Sequence, residues 1–444
     1  MKSSNKITII GGGPAGLSCA LYSKKNNLDF ILFESQESFG GNCRTIKHND
    51  FYFDTGAHRL HDKDPETTRI IKKILGDRLF MINVPSQIYR NNSFIDFPLS
   101  PYGIFKFLGL RSFLTESLII FLNSLRINKK SENFYQFSIN RFGSKISKLF
   151  LLDYSEKLWG LKSRELSKKI SGNRLKGFSI YTMILEFIFG NKIKTKHLDG
   201  SFYYPDFGIG VIFDEMVCYC GTKNFKNLSS ITSVNHSNFK IDSIVINQTS
   251  KISVDELIST IPLGLFLNLL NPSPPKKILQ IASSIKFRNV VLFCFFLNKK
   301  NINNNGSMYF PDKKYPFTRV YEPMNRSKYM SPKNKTSLIV EVPCQKEDDY
   351  WQKSSSYIES IQLDLEKIGF FTANEVIEIK TFKIHNAYPI LENGFEKKIK
   401  TITSYLNHFT NLQTSGRNAL FEYSHIHDHM KNASEIINSL KLKA

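Results

Sequence analysis

Ile7-Thr8-Ile9-Ile10-Gly11-Gly12-Gly13-Pro14-Ala15-Gly16 is the stretch whose reading decides the fold of this chain. An apolar, β-branched run ends in Gly11-x-Gly13-x-x-Gly16, and a helix-like segment with Leu17, Ala20 and Leu21 follows. A second apolar run, Phe30 to Phe33, then ends in Glu34. Strand, glycine turn, helix, strand and acidic residue in that order form a dinucleotide-binding unit. Gly11 permits the turn, Gly13 lets backbone approach a pyrophosphate, and Gly16 lets the helix lie close to the strand. Pro14 and Ala15 begin a helix whose unpaired N–H groups face the phosphates, and Glu34 is the acceptor for a ribose hydroxyl.

The 444 residues can bury a large core and should hold two or three domains, interleaved along the chain. A formal net charge of +21 raises nucleic acid, an anionic membrane surface or an acidic ligand as partners. The basic residues are spread thinly from Lys2 to Lys443 with no arginine-rich arm, which argues against nucleic acid. Abundant Lys, Asn and Ile read more simply as the imprint of an AT-rich genome. Cys19, Cys43, Cys218, Cys220, Cys294 and Cys344 form no paired CxxC, so a metal site is not expected and a reduced, cytoplasmic setting is. The N-terminus runs directly into the first strand, leaving no room for a signal peptide. The apolar stretch Ile104 to Leu125 is interrupted by Lys106, Arg111 and Glu116, too polar to span a bilayer. Weak association of that helix with a membrane surface stays open beside plain packing.

Up to Phe94 the pattern alternates strands, turns and a helix, and from Phe97 to Phe189 it is mainly helical, including Ser112–Leu125 and Phe137–Asp153. Short alternating runs at Ser230–Val234, Ser243–Ile246 and Leu257–Ile261 predict a small antiparallel sheet. Val290–Leu297 and Ser337–Val342 are continuous apolar strands. Glu347–Ile368 reads as one helix, Leu412–Ser415 as a last strand, and Ser434–Leu442 as a closing helix.

Two further constellations carry chemistry. Gly40-Gly41-Asn42-Cys43-Arg44-Thr45 suits a loop wrapped over a second phosphate, as a flavin dinucleotide in extended form requires. Phe53-Asp54-Thr55-Gly56-Ala57-His58 is a strand ending in small residues, which admit a flat ring, and then a histidine, which can hydrogen-bond or tune it.

These residues resemble the FAD-dependent amine oxidase and protoporphyrinogen oxidase superfamily, and within it the UDP-galactopyranose mutase branch. The branch's Tyr-x-x-Lys-x-Trp motif has its counterpart in Tyr154-Ser155-Glu156-Lys157-Leu158-Trp159, with Arg174 fifteen residues beyond. Tyr309-Phe310-Pro311, Pro316-Phe317-Thr318-Arg319, Tyr388-Pro389, Gly416-Arg417 and Tyr423 follow in the branch's order, so the resemblance covers nearly the whole chain. It implies an FAD enzyme that interconverts ring forms of a nucleotide-diphosphate sugar for surface polysaccharide synthesis. It also implies that Tyr309, Arg319, Tyr388 and Tyr423 hold the diphosphate, that Arg174 and Arg417 lie near sugar and flavin, and that His58 tunes the flavin. Arginine forks and phenols are the groups that share a diphosphate's charge. Trp159 reads equally as core packing and as a lining of the substrate side, and Phe202-Tyr203-Tyr204-Pro205 with Gly208 and Gly210 as a turn into the helix from Val211.

The chain also departs from the branch. Phe97-Pro98-Leu99-Ser100 stands where the mutases carry Tyr-Pro-x-Gln near the uracil, and Ser424-His425-Ile426-His427-Asp428-His429 replaces an Asn/Asp-rich stretch. A flavin oxidoreductase with an aromatic cage, and a protein that keeps FAD only as a structural element, therefore remain as alternatives. The expected fold is α/β: a discontinuous Rossmann-type FAD-binding domain from about 1–96, 200–275 and 385–444, with an inserted helical and antiparallel-sheet substrate domain from about 97–199 and 276–384.

Overall fold

The computed structural model describes residues 6–99, 101–125, 131–171 and 201–443. Its organising element is a five-stranded parallel sheet in the order Leu412–Thr414, Glu256–Ser259, Ile7–Ile10, Phe30–Phe33, Phe225–Lys226. Ile7, Ile9 and Ile10 are buried on both faces of the central strand, as strands of a parallel sheet covered on two sides must be. On one face the helix Pro14–Lys25 packs with the helices Val211–Cys220 and Ile426–Lys443 around Leu17, Leu21, Ile212, Met430 and Ile437.

A seven-stranded sheet supplies the second framework. Its order is Val376–Pro389, Phe287–Leu297, Thr336–Cys344, Arg319–Tyr321, Ser307–Tyr309, Ser86–Arg90, Ser93–Phe97. Every pairing is antiparallel except Ser307–Tyr309 with Ser86–Arg90. Val290 to Leu297 and the whole of Thr336–Cys344 are buried, which explains their unbroken apolar sequences. The chain is thus α/β, with one sheet assembled from the beginning, middle and end of the sequence.

Several local expectations are corrected. Leu257–Ile261 does not join the small antiparallel sheet; Glu256–Ser259 pairs in parallel with Ile7–Ile10, because Leu257 and Ile258 are fully buried between layers. The small sheet instead consists of Ser250–Ser253, Lys240–Ile246, Ile231–Ser237 and Leu270–Asn271. Phe137–Asp153 is no single helix. Gly143, at φ +77°, ends Phe134–Phe142, and a short turn and the wider π-type turn Ser147–Leu152 lead into Asp153–Trp159. Glu347–Ile368 likewise divides into Asp349–Gln352, the turn Ser354–Tyr357 and Ile358–Ile368 across a run of three serines, poor helix formers. Phe202–Pro205 belongs to a strand, Ser201–Pro205, paired with Leu79–Asn83 rather than to a turn.

Ile104–Leu125 contains parts of two helices, Pro101–Leu108 and Leu110–Leu125, divided at Gly109 with φ +74°. Leu110, Leu114 and Leu118 lie exposed along one side of the second. Among the described residues no helix is long and apolar enough to cross a membrane. The expected contribution of Arg174 falls outside the described residues.

Candidate active site

The glycine turn is built by contacts too close for any side chain. A Cβ on Gly16 would lie 1.9 Å from the Gly11 carbonyl oxygen, so the helix can rest on the strand end only as glycine. Gly11 sits at φ +99°, where a Cβ would also meet Thr260 Oγ1 at 2.4 Å. The Thr260 hydroxyl donates to the carbonyls of Ile10 and Gly11, fixing the turn from the neighbouring strand. Gly13 caps the helix N-terminally without a side-chain hydrogen bond, and Pro14 occupies its first turn. The donors beyond it at Ala15 and Gly16 are therefore available for an anion.

Glu34 is buried next to this turn, where its carboxylate accepts from Gly12 N–H (2.6 Å) and Gln36 N–H (2.8 Å). Two loops come onto the same helix end. A Cβ on Gly41 would stand 3.0 Å from Gly13 Cα, and one on Gly416 would stand 2.9 Å from Ala15 Cβ. The Gly40–Arg44 loop is tied down by Asn42 Nδ2, which donates to the carbonyls of His385 and Asn386. Thr55 completes the tie, its hydroxyl donating to Asn42 O (2.8 Å) and its N–H to Arg44 O (3.1 Å). The sequence-derived residues Gly11, Gly13, Pro14, Ala15, Gly16, Glu34, Gly40, Gly41, Asn42 and Gly416 thus converge. Arg44 joins them here through its carbonyl.

A buried network that sequence reasoning did not single out holds the strand end before His58. Asp54 accepts from the Tyr204 hydroxyl (2.5 Å), Thr45 Oγ1 (2.7 Å) and Ile209 N–H (3.0 Å), while the Tyr321 hydroxyl donates to its carbonyl (2.7 Å). Burial raises the Asp54 carboxyl above the usual range, opposed by Tyr204 and the nearby Arg326. The signal in the sequence was a carboxylate inside an apolar strand. Beyond it, Ala57 N–H donates to Glu341 Oε1 (3.2 Å), so Gly56-Ala57-His58 is held from both sides.

His58 sits at the junction of this turn and the cleft. Burial, then Arg417 and Arg319, pushes its imidazole down to about 3, so the ring is neutral at physiological pH. Its Nδ1 faces Cys43 Sγ at 3.7 Å, and its Nε2 is buried with no partner among the described residues.

Around it cluster the rings and guanidinium groups of the candidate cleft. Tyr154 meets Tyr309 edge-on at 5.9 Å, and Phe97 meets Tyr309 at 5.3 Å. Trp159 meets Tyr388 at 5.8 Å and Tyr423 at 6.3 Å, and Arg417 lies over Tyr423 at 4.9 Å. Burial pushes the Tyr388 phenol up to about 12 against the pull of Arg319, so it remains a hydrogen-bond donor. Arg319 is paired with Glu341, its Nη2 donating to both carboxylate oxygens (2.8 and 2.6 Å). Glu341 was missed in the sequence, although a lone acid in the apolar strand Thr336–Cys344 was its signal.

The histidine run takes a different form from a metal site. His425 and His427 stack at 5.6 Å, and His429 is buried with Nε2 near Ser424 Oγ at 3.4 Å. Among the described residues no group of three His, Cys, Asp or Glu side chains is placed to hold a metal.

Comparison with known proteins bears on the fold and on its first unit. Residues 9–74 match the family model of an NAD(P)-binding Rossmann-like domain. Protoporphyrinogen oxidase 2 of Arabidopsis thaliana is 28% identical over 69 residues, 16% of this chain and 14% of that protein. The match therefore spans a small part of that curated relative. A crystal structure of reduced UDP-galactopyranose mutase superposes with a TM-score of 0.86 at 18% identity, covering 100% of this chain and 95% of that one. Wild-type putrescine oxidase with putrescine bound gives a TM-score of 0.68 at 13% identity, covering 99% of each. The resemblance read from the sequence holds at the level of the fold, which a mutase and an amine oxidase share.

Proposed function

We propose that the chain binds FAD and that the cleft beside Gly56–His58 acts on a nucleotide-diphosphate sugar, as a UDP-galactopyranose mutase-like enzyme. The observation that carries this reading is the convergence of Arg319, Arg417, Tyr309, Tyr388 and Tyr423 on one cleft next to a neutral His58. FAD fits the residues present. The helix end at Gly13 has open donors, a Cβ on Gly13 would meet nothing nearer than Gly41 Cα at 3.9 Å, and His58 Nε2 is a buried polar atom awaiting a partner. Residues of 1–96, 200–275 and 385–444 would hold the dinucleotide, and residues of 97–199 and 276–384 most of the substrate.

When bound and reduced, FAD would supply a nucleophilic ring nitrogen for the anomeric carbon of a sugar. The protein's part is electrostatic. Arg417 and the hydroxyls of Tyr309, Tyr388 and Tyr423 would donate to a departing diphosphate, sharing its charge through short charge-assisted bonds. Arg319 adds a second guanidinium whose charge is half committed to Glu341. Arg174 belongs to the same proposal through the resemblance. His58 adds no further cation, and Trp159, 4% exposed, helps keep water from the reacting groups.

The test is to purify the protein, reduce its flavin with dithionite and add UDP-galactose. A furanose product, formed only after reduction, is the expected result. Oxidised flavin bleached by an amine, with no ring interconversion of any UDP-sugar, would overturn it. That second outcome is the alternative, a flavin oxidoreductase. The observation on its side is the set of rings Trp159, Tyr388 and Tyr423, which meet edge-on, since aromatic faces suit an amine.

A further inference from the structure

Lys157, the central residue of the Tyr154–Trp159 motif, points away from the rings that flank it. Tyr154 and Trp159 make the cleft contacts described above. The Lys157 ammonium instead donates three hydrogen bonds to backbone carbonyls: Phe310 O (2.7 Å), Phe317 O (2.8 Å) and Asp312 O (2.9 Å). All three carbonyls lie in the loop that joins Ser307–Tyr309 to Arg319–Tyr321. That loop is folded inward, since the Phe310 and Phe317 side chains are fully buried, and its inward carbonyls need donors. An ammonium has three donors and no acceptor, so the match in number is complete.

The two ends of this loop are Tyr309 and Arg319, which pair directly across the hairpin. The helix Asp153–Trp159 is itself anchored from its other end. Gly160 closes it at φ +71°, where a Cβ would collide with Arg288 Nη1 at 2.7 Å, and Arg288 Nη2 donates to Lys157 O (3.4 Å) and Pro343 O (3.0 Å). The helix is thereby fixed to the large sheet, and Lys157 fixes the loop to the helix.

We propose that Lys157 is a positioning residue: its three bonds set the hairpin loop in register with the motif helix and so place Tyr309 and Arg319 in the cleft. One loop side chain adds a second, more exposed tie to the same helix: Lys313 Nζ donates to Glu156 Oε2 (2.8 Å) and lies 3.5 Å from Asp153 Oδ1, whereas the three Lys157 bonds hold the loop's backbone from within. Burial pushes the ammonium down to about 7, although Asp312 and Asp153 oppose the shift and Arg90 assists it, so the amine is held near its titration point. The part concerning ligand binding rests on the reading of Tyr309 and Arg319 as diphosphate contacts. The part concerning the loop does not.

Two readouts on the FAD-loaded protein keep these apart. Lys157→Met keeps the length of the stem and removes every donor, and Lys157→Gln keeps two donors on a shorter stem. The first readout needs no ligand. Trypsin cleavage after Lys313 and Lys314, mapped by mass spectrometry, should accelerate about tenfold or more in Lys157→Met and less in Lys157→Gln. The second is binding of UDP by calorimetry. The dissociation constant should rise about tenfold in Lys157→Met with flavin content unchanged, and in turnover the loss should fall on KM rather than kcat. Should Lys157→Met fail to fold, Lys157→Gln carries both measurements. A folded variant of either kind that trypsin cuts at the wild-type rate overturns the proposal. If the wild type binds no UDP, the diphosphate reading fails while the cleavage rates still decide the role of Lys157.

Discussion

Arg319 enters the cleft as half of an ion pair, and what it can do for a ligand depends on Glu341. Glu341 is 3% exposed, and its carboxylate takes two bonds from Arg319 and one from Ala57 N–H. Removing one partner of such a pair leaves a buried charge uncompensated, which costs about 3–5 kcal/mol. Glu341→Ala should therefore lower unfolding free energy by about that amount in urea titrations, and Glu341→Gln, which also leaves Arg319 without its counter-charge, by a comparable amount. A Glu341→Gln variant as stable as the wild type would mean that the carboxylate's charge is immaterial. A second consequence concerns acid. His58 and His429 are each held down to about 3 from an ordinary 6.5, mainly by burial and then by Arg417. Between pH 6.5 and 3 the unfolded chain binds two protons that the folded chain does not. The apoprotein's stability is then fully present above about pH 6.5 and falls on acidification, by at most roughly 2.7 kcal/mol per pH unit for two protons. Urea midpoints measured at pH 7, 6 and 5 should show this slope, and His58→Asn should remove about one proton from it. An unchanged slope in that variant would exclude His58 as a source.

Elements with a strong period were legible in the sequence, and breaks set by single residues were not. Ile7–Ile10, Pro14–Lys25 and Phe30–Phe33 lie where the glycine fingerprint requires them, because each part of that unit has its own residue signature. The last helix starts at Ile426, eight residues before the expected Ser434, and the reason is local: Asp428 accepts from His425 N–H at 2.8 Å, half of a capping box ahead of the apolar period. Gly143 interrupts a long apolar stretch with one positive φ, which periodicity alone does not register. The candidate site divides the same way. Its dinucleotide half was readable from the residues, while the clamp residues came through resemblance, and Lys157 acts on carbonyls that carry no sequence signature. The fingerprint gives a sharp element-scale prediction. Gly16→Ala would force a methyl to within 1.9 Å of the Gly11 carbonyl, so helix and strand must part. The variant should be purified with less than about a tenth of the wild-type flavin per chain, read from visible absorbance, since a shift of only ~1.4 kcal/mol is already tenfold in affinity. Gly13→Ala, whose Cβ has 3.9 Å of clearance in the unliganded chain, should fold normally and lose flavin only through contact with the phosphates.

On the scale of the whole molecule, the first unit of the fold is completed by the last. Leu412–Thr414 forms an edge of the parallel sheet beside Glu256–Ser259, and Gly416 lies against Ala15. Ile426–Lys443 packs Ile426, Met430, Ile437 and Leu440 into the cluster that holds Leu17 and Leu21 of the phosphate-facing helix. Four large apolar side chains at ~1.5–3 kcal/mol each amount to roughly 6–12 kcal/mol, comparable with the whole stability of a domain at about 5–15 kcal/mol. A chain ending at His408 would retain every residue from Ile7 to His58 that reads as a dinucleotide site, yet it should not hold FAD or unfold cooperatively. Supplying residues 409–444 as a separate polypeptide should restore part of the flavin binding if docking of the last helix is what the site lacks. A truncated chain that binds FAD as tightly as the full one would show that the glycine unit is self-sufficient, and the interleaving of sequence ends would then serve only the far side of the sheet. The pairing pattern argues for the first outcome, because the strand next to Ile7–Ile10 takes its own outer partner only from Leu412–Thr414.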